Sequence, residues 1–223
     1  MLISVLISMH DEEWTVNKNI QHIHDVYPDA FIFVVQSESK AKVEGADGLL
    51  VVPNFAGTVP PHKLPSASLT RNFSLCFQNA RNKSAYIVAL TGDTLVTDAH
   101  NFERRWEQMK GQGKVLVCSQ ALGQDFHAVD SDPANGRCGG RFQFAGISDF
   151  MPQFWMVEGG FFHATGAFKE IAITNPYTSE QCLGDEFMRH IKGPFRNSAL
   201  VVSDNAYQYK DGIKFHVGRN PLI

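Results

Sequence analysis

Short apolar runs alternate with helical patterns through the first half of the chain. The apolar runs lie at residues 2–8, 31–35, 49–52, 86–90 and 115–119. Between them, apolar residues recur at helical spacing over residues 16–27, 69–80 and 102–109. Strands that alternate with helices form right-handed βαβ units. We therefore expect an α/β fold in which a mainly parallel central sheet is flanked by helices.

The second half of the chain has a weaker pattern. Residues 123–153 show no clear periodicity, whereas short apolar runs favour strands at 154–157, 160–163 and 199–203, and residues 184–191 favour a helix. A chain of 223 residues is long enough for one sizeable core. We expect a single domain made of two halves, residues 1–98 and 99–223.

Composition excludes several classes of function. The net charge is −3, so the chain lacks the basic surplus that nucleic-acid binding requires. The four cysteines form no C-x-x-C pair and suggest no disulfide framework, which favours a reducing compartment. The apolar N-terminus lacks a basic leader, and no apolar run approaches the ~20 residues of a transmembrane helix. We predict no membrane span and a cytoplasmic location, with or without peripheral attachment at the inner membrane face.

The segment YIVALTGDTLV, residues 86–96, is the strongest chemical feature of the sequence. A buried strand runs into a glycine turn and then presents Asp93, at the edge of the sheet where α/β proteins bind ligands. A carboxylate at this edge can hold Mn²⁺ or Mg²⁺ against two phosphates, and the cation offsets charge on a departing diphosphate. The alternative is that Asp93 only caps the turn.

Two stretches of the first half resemble the donor half of family 2 glycosyltransferases. LISVLISMHDEEWTVNKNIQHI resembles the first strand, acid-rich loop and first helix of that family. SLTRNFSLCFQNARNKSAYIVALTGDTLV resembles the stretch that ends in its D-x-D metal motif, with Arg71 and Asn72 on the family's Arg-Asn pair. The sequence departs from the family at Thr91, which replaces the first acid of the motif, and at Gln36, where the family has an acid near the base.

The resemblance implies a GT-A type fold, with a Rossmann-like nucleotide-binding half and a smaller acceptor-binding half. It also implies a UDP- or GDP-sugar donor and a carbohydrate or glycoconjugate acceptor. Asp93 would hold the metal, and a C-terminal histidine, His216, would add a ligand; a lone histidine can also be merely structural. The remaining donor contacts would come from Ser8, His10, Asp11, Gln36, Arg71, Thr91 and Gly92.

In the second half, residues 158–170 resemble the strand and turn before the acceptor site of the family. LGDEFM, residues 183–188, falls on its acidic pair. The resemblance implies that Asp185 is the general base, with Glu186 as the alternative one residue away. Two acids in the first turn of a helix are also stabilised by the helix dipole alone. A base on the face opposite the leaving group implies inversion at the anomeric carbon.

The resemblance therefore implies metal-dependent transfer of a hexose from a nucleoside diphosphate sugar to an acceptor hydroxyl. Three alternatives remain. A nucleotidyltransferase of the same fold would carry a glycine-rich basic loop after strand one, which HDEEW lacks. A retaining transferase and a non-catalytic relic are the other two, and Thr91 favours the relic. The glycines of GRCGGR, residues 136–141, suggest a lid over bound donor.

Overall fold

The computed structural model describes residues 1–57, 61, 64–119, 151–173, 179–202, 207–211 and 214–217. The strands are β1 (Ile3–Met9), β2 (Phe31–Ser37), β3 (Gly48–Val52), β4 (Tyr86–Thr91), β5 (Thr94–Val96), β6 (Leu116–Ser119), β7 (Met151–Glu158), β8 (Ala199–Val202), β9 (Tyr207–Asp211) and β10 (Lys214–Val217). The helices are α1 (Glu13–Val26), α2 (Leu64–Gln78), α3 (Asn101–Gly111), α4 (Gly159–Thr165), α5 (Ser179–His190) and α6 (Phe195–Ser198).

The described strands form a seven-stranded sheet of order β3-β2-β1-β4-β7-β6-β8. β1 lies between β2 and β4 and is parallel to both, and β3 is parallel to β2. β7 enters between β4 and β6 and is antiparallel to each, while β8 is parallel to β6. The predicted α/β fold with a mostly parallel sheet is therefore confirmed. A smaller sheet of order β10-β9-β5 follows the end of β4.

Both faces of the large sheet are covered, because β1 and β4 are buried along their whole length. On one face, Val5 and Ile7 pack with Val16 and Ile20 of α1 and with Phe102 of α3. On the other face, Leu6 lies in a cluster with residues of α2 and α5. Side chains of a strand alternate between faces, so one central strand contributes to both layers.

An aromatic cluster holds α2 against the second half of the chain. The ring of Phe77 lies 4.9 Å from Trp155, 5.5 Å from Phe162 and 5.3 Å from Phe168, measured between ring centroids. All four side chains are almost fully buried. The nucleotide-binding and acceptor-binding halves proposed from the sequence thus share one core on this face.

Two predicted elements differ from the structure. Residues 160–163, predicted as a strand, lie in α4, because Glu158 accepts the backbone N–H groups of Gly160 and Phe161 and starts a helix there. That helix ends at Gly166, whose φ of 69° suits a glycine. The predicted helix at 184–191 begins earlier, at Ser179. Asp185 and Glu186 are therefore mid-helix residues, and the first-turn dipole explanation for them is wrong.

Candidate functional site

A cavity of about 650 Å³ opens at the carboxyl ends of β1, β2 and β4. This volume falls within the usual range for small-molecule sites. The described residues that line it come from these strand ends, from the loops after β1 and β3, from α2 and from the second half: Ser8, Met9, His10, Glu12, Ser37, Asn54, Phe55, Leu64, Pro65, Ser66, Ser68, Leu69, Asn72, Thr91, Gly92, Asp93, Gln153 and Ser179. The cavity lies at the sheet edge where the sequence analysis expects a ligand.

Gly92 and Asp93 form a two-residue turn between β4 and β5 in the wall of this cavity. The Gly92 N–H donates to the Ser8 carbonyl at 2.7 Å, which ties the turn to β1. A Cβ atom at position 92 would lie 2.6 Å from Glu12 Oε2 and 2.8 Å from Met9 Cβ. The turn thus packs so closely on the end of β1 that only glycine fits.

A short series of hydroxyl contacts runs from Asp93 into the protein. The Thr91 hydroxyl donates to Asp93 Oδ1 and lies 2.8 Å from the Thr94 hydroxyl. The Thr94 hydroxyl in turn donates to the Gln153 carbonyl of β7 at 2.9 Å. Thr91, which stands where the resembling family has an acid, therefore contacts the carboxylate of Asp93 directly.

The acid that lines the cavity after β1 is Glu12, which the sequence analysis did not single out. Glu12 Oε2 accepts the backbone N–H of His10 at 2.7 Å and faces Gly92. Asp11 lies outside the described wall of the cavity and lines a second, shallower groove with residues of α1. Its side chain is 69% exposed and is 3.4 Å from His10 Nε2. The helical pattern seen in the sequence begins only at Val16, whereas α1 begins at Glu13, so no signal in the sequence distinguished Glu12 from Asp11.

At the end of β2, Ser37 lines the cavity and Gln36 does not. The Gln36 amide points into the following loop, where it donates to Ser39 Oγ at 2.7 Å and to the Ala41 carbonyl at 2.9 Å. Ser37 Oγ accepts from Asn72 Nδ2 at 3.0 Å. Neighbouring residues of a strand face opposite ways, so Ser37 and not Gln36 stands in the wall of the cavity.

Arg71 does not line the described wall of the cavity, but it contacts Asn72, which does. Its guanidinium donates to Asn72 Oδ1 at 2.9 Å, and Asn72 lines the cavity while Arg71 does not. Burial lowers the pKa of Arg71 from its usual value. Arg71 therefore orients the Asn72 amide from outside the described wall.

The two acids of α5 have different surroundings. Burial raises the pKa of the half-exposed Asp185 above its usual value, and nearby Arg189 opposes this rise. Glu186 is 3% exposed; its Oε1 accepts the Phe168 N–H at 3.2 Å and lies 2.8 Å from His190 Nε2. Neither acid lines the cavity, although Ser179, the first residue of the same helix, does. Glu186 is thus held by Phe168 and His190, and its role as the alternative base stays a prediction.

His216 lies on β10, in the small sheet that begins one residue after Asp93. Its cross-strand partner is Tyr209 of β9, which in turn pairs with Thr94 of β5. Two strand spacings separate the backbone of His216 from that of Thr94, about 10 Å. The side chain of His216 and the GRCGGR segment at 136–141 lie outside the described residues.

Solved structures of one enzyme share this architecture. Glucosyl-3-phosphoglycerate synthase from Mycobacterium tuberculosis, in complex with Mn²⁺, UDP-glucose and phosphoglyceric acid, matches with a TM-score of 0.54 at 16% sequence identity. The match covers 89% of this chain and 68% of that one. The same enzyme with Mg²⁺ and UDP matches with a TM-score of 0.58 at 15% identity, over 94% of this chain and 71% of that one.

This chain has the GT-A fold. No protein-family model matches its sequence, and no curated protein does. The GT-A fold expected from the resemblance is thus confirmed by structure, at an identity too low to carry activity from one protein to the other. Within the described part of the chain, no helix is both long and apolar enough to cross a membrane.

The oxygen donors of the cavity suit a hard divalent cation. Asp93 and Glu12 both line it and supply carboxylate oxygens, and Thr91 adds a hydroxyl. In the described ranges, no three His, Cys, Asp or Glu side chains lie close enough together to hold a metal ion by themselves. Mg²⁺ is usually held by one or two carboxylates together with substrate phosphates. The residues present therefore fit a cation that arrives with a diphosphate.

Proposed function

We propose that this chain transfers a sugar from a nucleoside diphosphate sugar, bound with Mn²⁺ or Mg²⁺, to an acceptor hydroxyl. The observation that carries the proposal is Asp93, which stands in the wall of a GT-A cavity on a turn tied to β1. That is the position from which a carboxylate can meet a metal-bound diphosphate at the carboxyl edge of the sheet.

The charge of the cavity supports a metal requirement. Among the described residues of its wall, Glu12 and Asp93 are acidic and no lysine or arginine is present. A diphosphate beside two carboxylates would be repelled in a site of reduced dielectric. When bound, a divalent cation supplies the positive charge that binds the diphosphate and stabilises it as a leaving group.

Polar side chains of the wall suit the nucleoside. Ser8, Ser37 and Asn72 place hydroxyl and amide groups around the ends of β1 and β2, and Arg71 orients Asn72. Phe55 and Leu69 supply apolar surface on the side of α2. A few placed polar groups on a partly apolar wall is the usual composition of a small-molecule site. We propose that Ser37 and Asn72 take the base-contacting role predicted for Gln36.

Helix α5 indicates where the acceptor would bind. Its first residue lines the cavity, so the acceptor, a carbohydrate or glycoconjugate, would bind next to this helix. Asp185 as general base stays a prediction, and so does the inversion that follows from it. NMR of the anomeric proton in the first product checks both, because a retained configuration excludes Asp185 as the base of a direct displacement.

The matched enzyme indicates which donor to test first. One of its structures holds UDP-glucose, and another holds UDP with Mn²⁺ and glucosyl-3-phosphoglycerate and matches this chain with a TM-score of 0.55 at 15% identity. We propose a UDP-sugar as donor, with a GDP-sugar as the alternative.

Calorimetry tests the proposal. UDP or GDP should bind the wild type more tightly with Mn²⁺ than with EDTA, and Asp93→Asn should lose at least about tenfold in the Mn²⁺-dependent affinity, or about 1.4 kcal/mol. Asp11→Asn is the matched control, because Asp11 is exposed and lies outside the cavity wall. Equal Mn²⁺ dependence in Asp93→Asn and the wild type would refute Asp93 as the ligand.

Turnover separates the alternatives. Release of nucleoside diphosphate from a panel of sugar nucleotides supports a transferase. Metal-dependent binding without turnover of any donor supports the non-catalytic alternative, and pyrophosphate release from a nucleoside triphosphate and a sugar phosphate supports a nucleotidyltransferase.

A further inference from the structure

Asn19 is a fully buried polar residue of α1 that no step above uses. Its Nδ2 donates to the Thr94 carbonyl at 2.6 Å, and its Oδ1 accepts the Val96 N–H at 2.8 Å. One side-chain amide thus bonds two backbone groups of β5, two residues apart. On its other edge, β5 pairs with β9. Asn19 takes the place of a neighbouring strand on the α1 side of β5.

β5 is the element that follows Asp93 in the chain. Thr94, held by Asn19 through its carbonyl, also places its hydroxyl 2.8 Å from that of Thr91 and donates to the Gln153 carbonyl. Thr91 then donates to Asp93 Oδ1. A continuous series of contacts therefore connects the Asn19 amide to the carboxylate of Asp93.

The first two side chains of this series, those of Asn19 and Thr94, stand behind the cavity wall. Asn19 and Thr94 are both 0% exposed and neither lines the cavity. Any effect of Asn19 on a bound metal or nucleotide must pass through the position of β5 and of the two hydroxyls. Groups that orient a metal ligand from behind commonly change metal affinity or activity by about 10–100-fold when they are removed.

We propose that Asn19 is a positioning residue of the metal site: its amide fixes β5 and, through the hydroxyls of Thr94 and Thr91, the direction of the Asp93 carboxylate. The proposal rests on the proposed function, in which Asp93 holds the metal. In this proposal Thr91, which replaces the first acid of the family's D-x-D motif, orients the carboxylate of Asp93 through its hydroxyl.

Asn17 provides a matched control on the same helix. Its Nδ2 donates to the Lys42 carbonyl at 2.8 Å and its Oδ1 accepts the Glu44 N–H at 3.0 Å. The bonding pattern equals that of Asn19, since the two backbone groups are again two residues apart. Asn17 holds the loop after β2, however, and does not line the donor cavity. Loss of either amide removes two backbone contacts, which are buried for Asn19 and exposed for Asn17. Of the two residues, Asn19 is the one connected to Asp93.

The test compares Asn19→Ala with Asn17→Ala. Calorimetry of UDP and GDP binding with Mn²⁺ and with EDTA separates a metal-dependent from a metal-independent affinity, and circular dichroism checks the fold. Asn19→Ala should lose about tenfold or more of the metal-dependent affinity. Its affinity in EDTA should stay within about twofold of the wild type, and Asn17→Ala should keep both affinities.

Thr94→Val and Thr94→Ser keep the test decisive where Asn19→Ala does not fold. Thr94→Val removes the hydroxyl at nearly constant shape and should lose the metal-dependent affinity as Asn19→Ala does. Thr94→Ser restores the hydroxyl and should restore that affinity. A serine variant no better than the valine variant would show that the hydroxyl series does not orient Asp93.

The outcomes distinguish a failure of the proposed function from a failure of the role assigned to Asn19. Absence of Mn²⁺-dependent nucleotide binding in the wild type overturns the proposed function and the role of Asn19 with it. Mn²⁺-dependent binding that is equal in the wild type and Asn19→Ala overturns the role of Asn19 alone. An equal loss with Mn²⁺ and with EDTA assigns Asn19 to general stability and also overturns the proposal.

Discussion

Gly92 shows how a single residue shapes the site. It is needed for space, because its N–H bonds to Ser8 while Glu12 Oε2 and Met9 Cβ occupy the volume that a side chain would fill. The contacts that a Cβ would make, at 2.6 and 2.8 Å, are shorter than real Cβ atoms show. Any side chain here would displace either Glu12 or the turn that carries Asp93.

Gly92→Ala should therefore weaken Mn²⁺-dependent nucleotide binding and destabilise the protein by about 1–3 kcal/mol, the usual cost of overpacking. Gly111→Ala is the control, since nothing lies within 4 Å of its ideal Cβ, and it should be neutral or slightly stabilising. Urea denaturation and calorimetry on both variants check this. Wild-type binding and stability in Gly92→Ala would contradict the close packing of the turn.

At this scale the sequence predicted the position of the cavity better than the residues that line it. The buried strand, glycine and acid of residues 86–93 placed Asp93 correctly at the sheet edge. Asp11 and Gln36 were each one residue away from the side chains that line the cavity, Glu12 and Ser37. A pattern locates a strand end to within a residue or two, whereas a shift of one residue reverses the direction of a side chain.

Helix α5 acts as an element that holds the chain segment beside it. Phe168 is buried and has a φ of 69°, which is rare for a bulky residue. Its N–H donates to Glu186 of α5, and its neighbour Lys169 gives its carbonyl to Ser74 and Gln78 of α2. The two helices thus fix an unfavourable backbone conformation between them.

Glu186→Ala should destabilise the protein by about 1–3 kcal/mol, because the buried N–H of Phe168 would lose its acceptor. Glu186→Gln keeps an acceptor oxygen and should cost less. Urea denaturation measures both, and Mn²⁺-dependent nucleotide binding should survive in the folded variants. A glutamine variant of normal stability that has lost sugar transfer would instead support the catalytic alternative for Glu186.

Among the elements, α4 shows why periodicity alone could not predict whether residues 160–163 form a strand or a helix. Its residues include two phenylalanines and alternate too briefly to separate a strand from a buried helix. The Glu158 side chain and the left-handed Gly166 decide the outcome at the two ends. The hydrogen bonds of Glu158 and the backbone angle of Gly166 exist only in the folded chain, whereas the sequence shows only which residues occupy these positions.

At the scale of the whole molecule, the sequence indicated a single α/β domain but not its strand order. Consecutive strands are usually neighbours, yet β7 enters between β4 and β6, with both pairings antiparallel. No local pattern specifies such an insertion. The match to solved GT-A structures at 15–16% identity shows that the burial pattern, more than particular residues, determines this architecture.

A crystal structure with UDP and Mg²⁺ would show whether Asp93 holds the metal ion. We expect the diphosphate in the cavity at the ends of β1 and β4, with Mg²⁺ bound to its phosphates and about 2.1 Å from a carboxylate oxygen of Asp93. A metal ion held by other residues, with Asp93 turned away from it, would exclude Asp93 as the metal ligand.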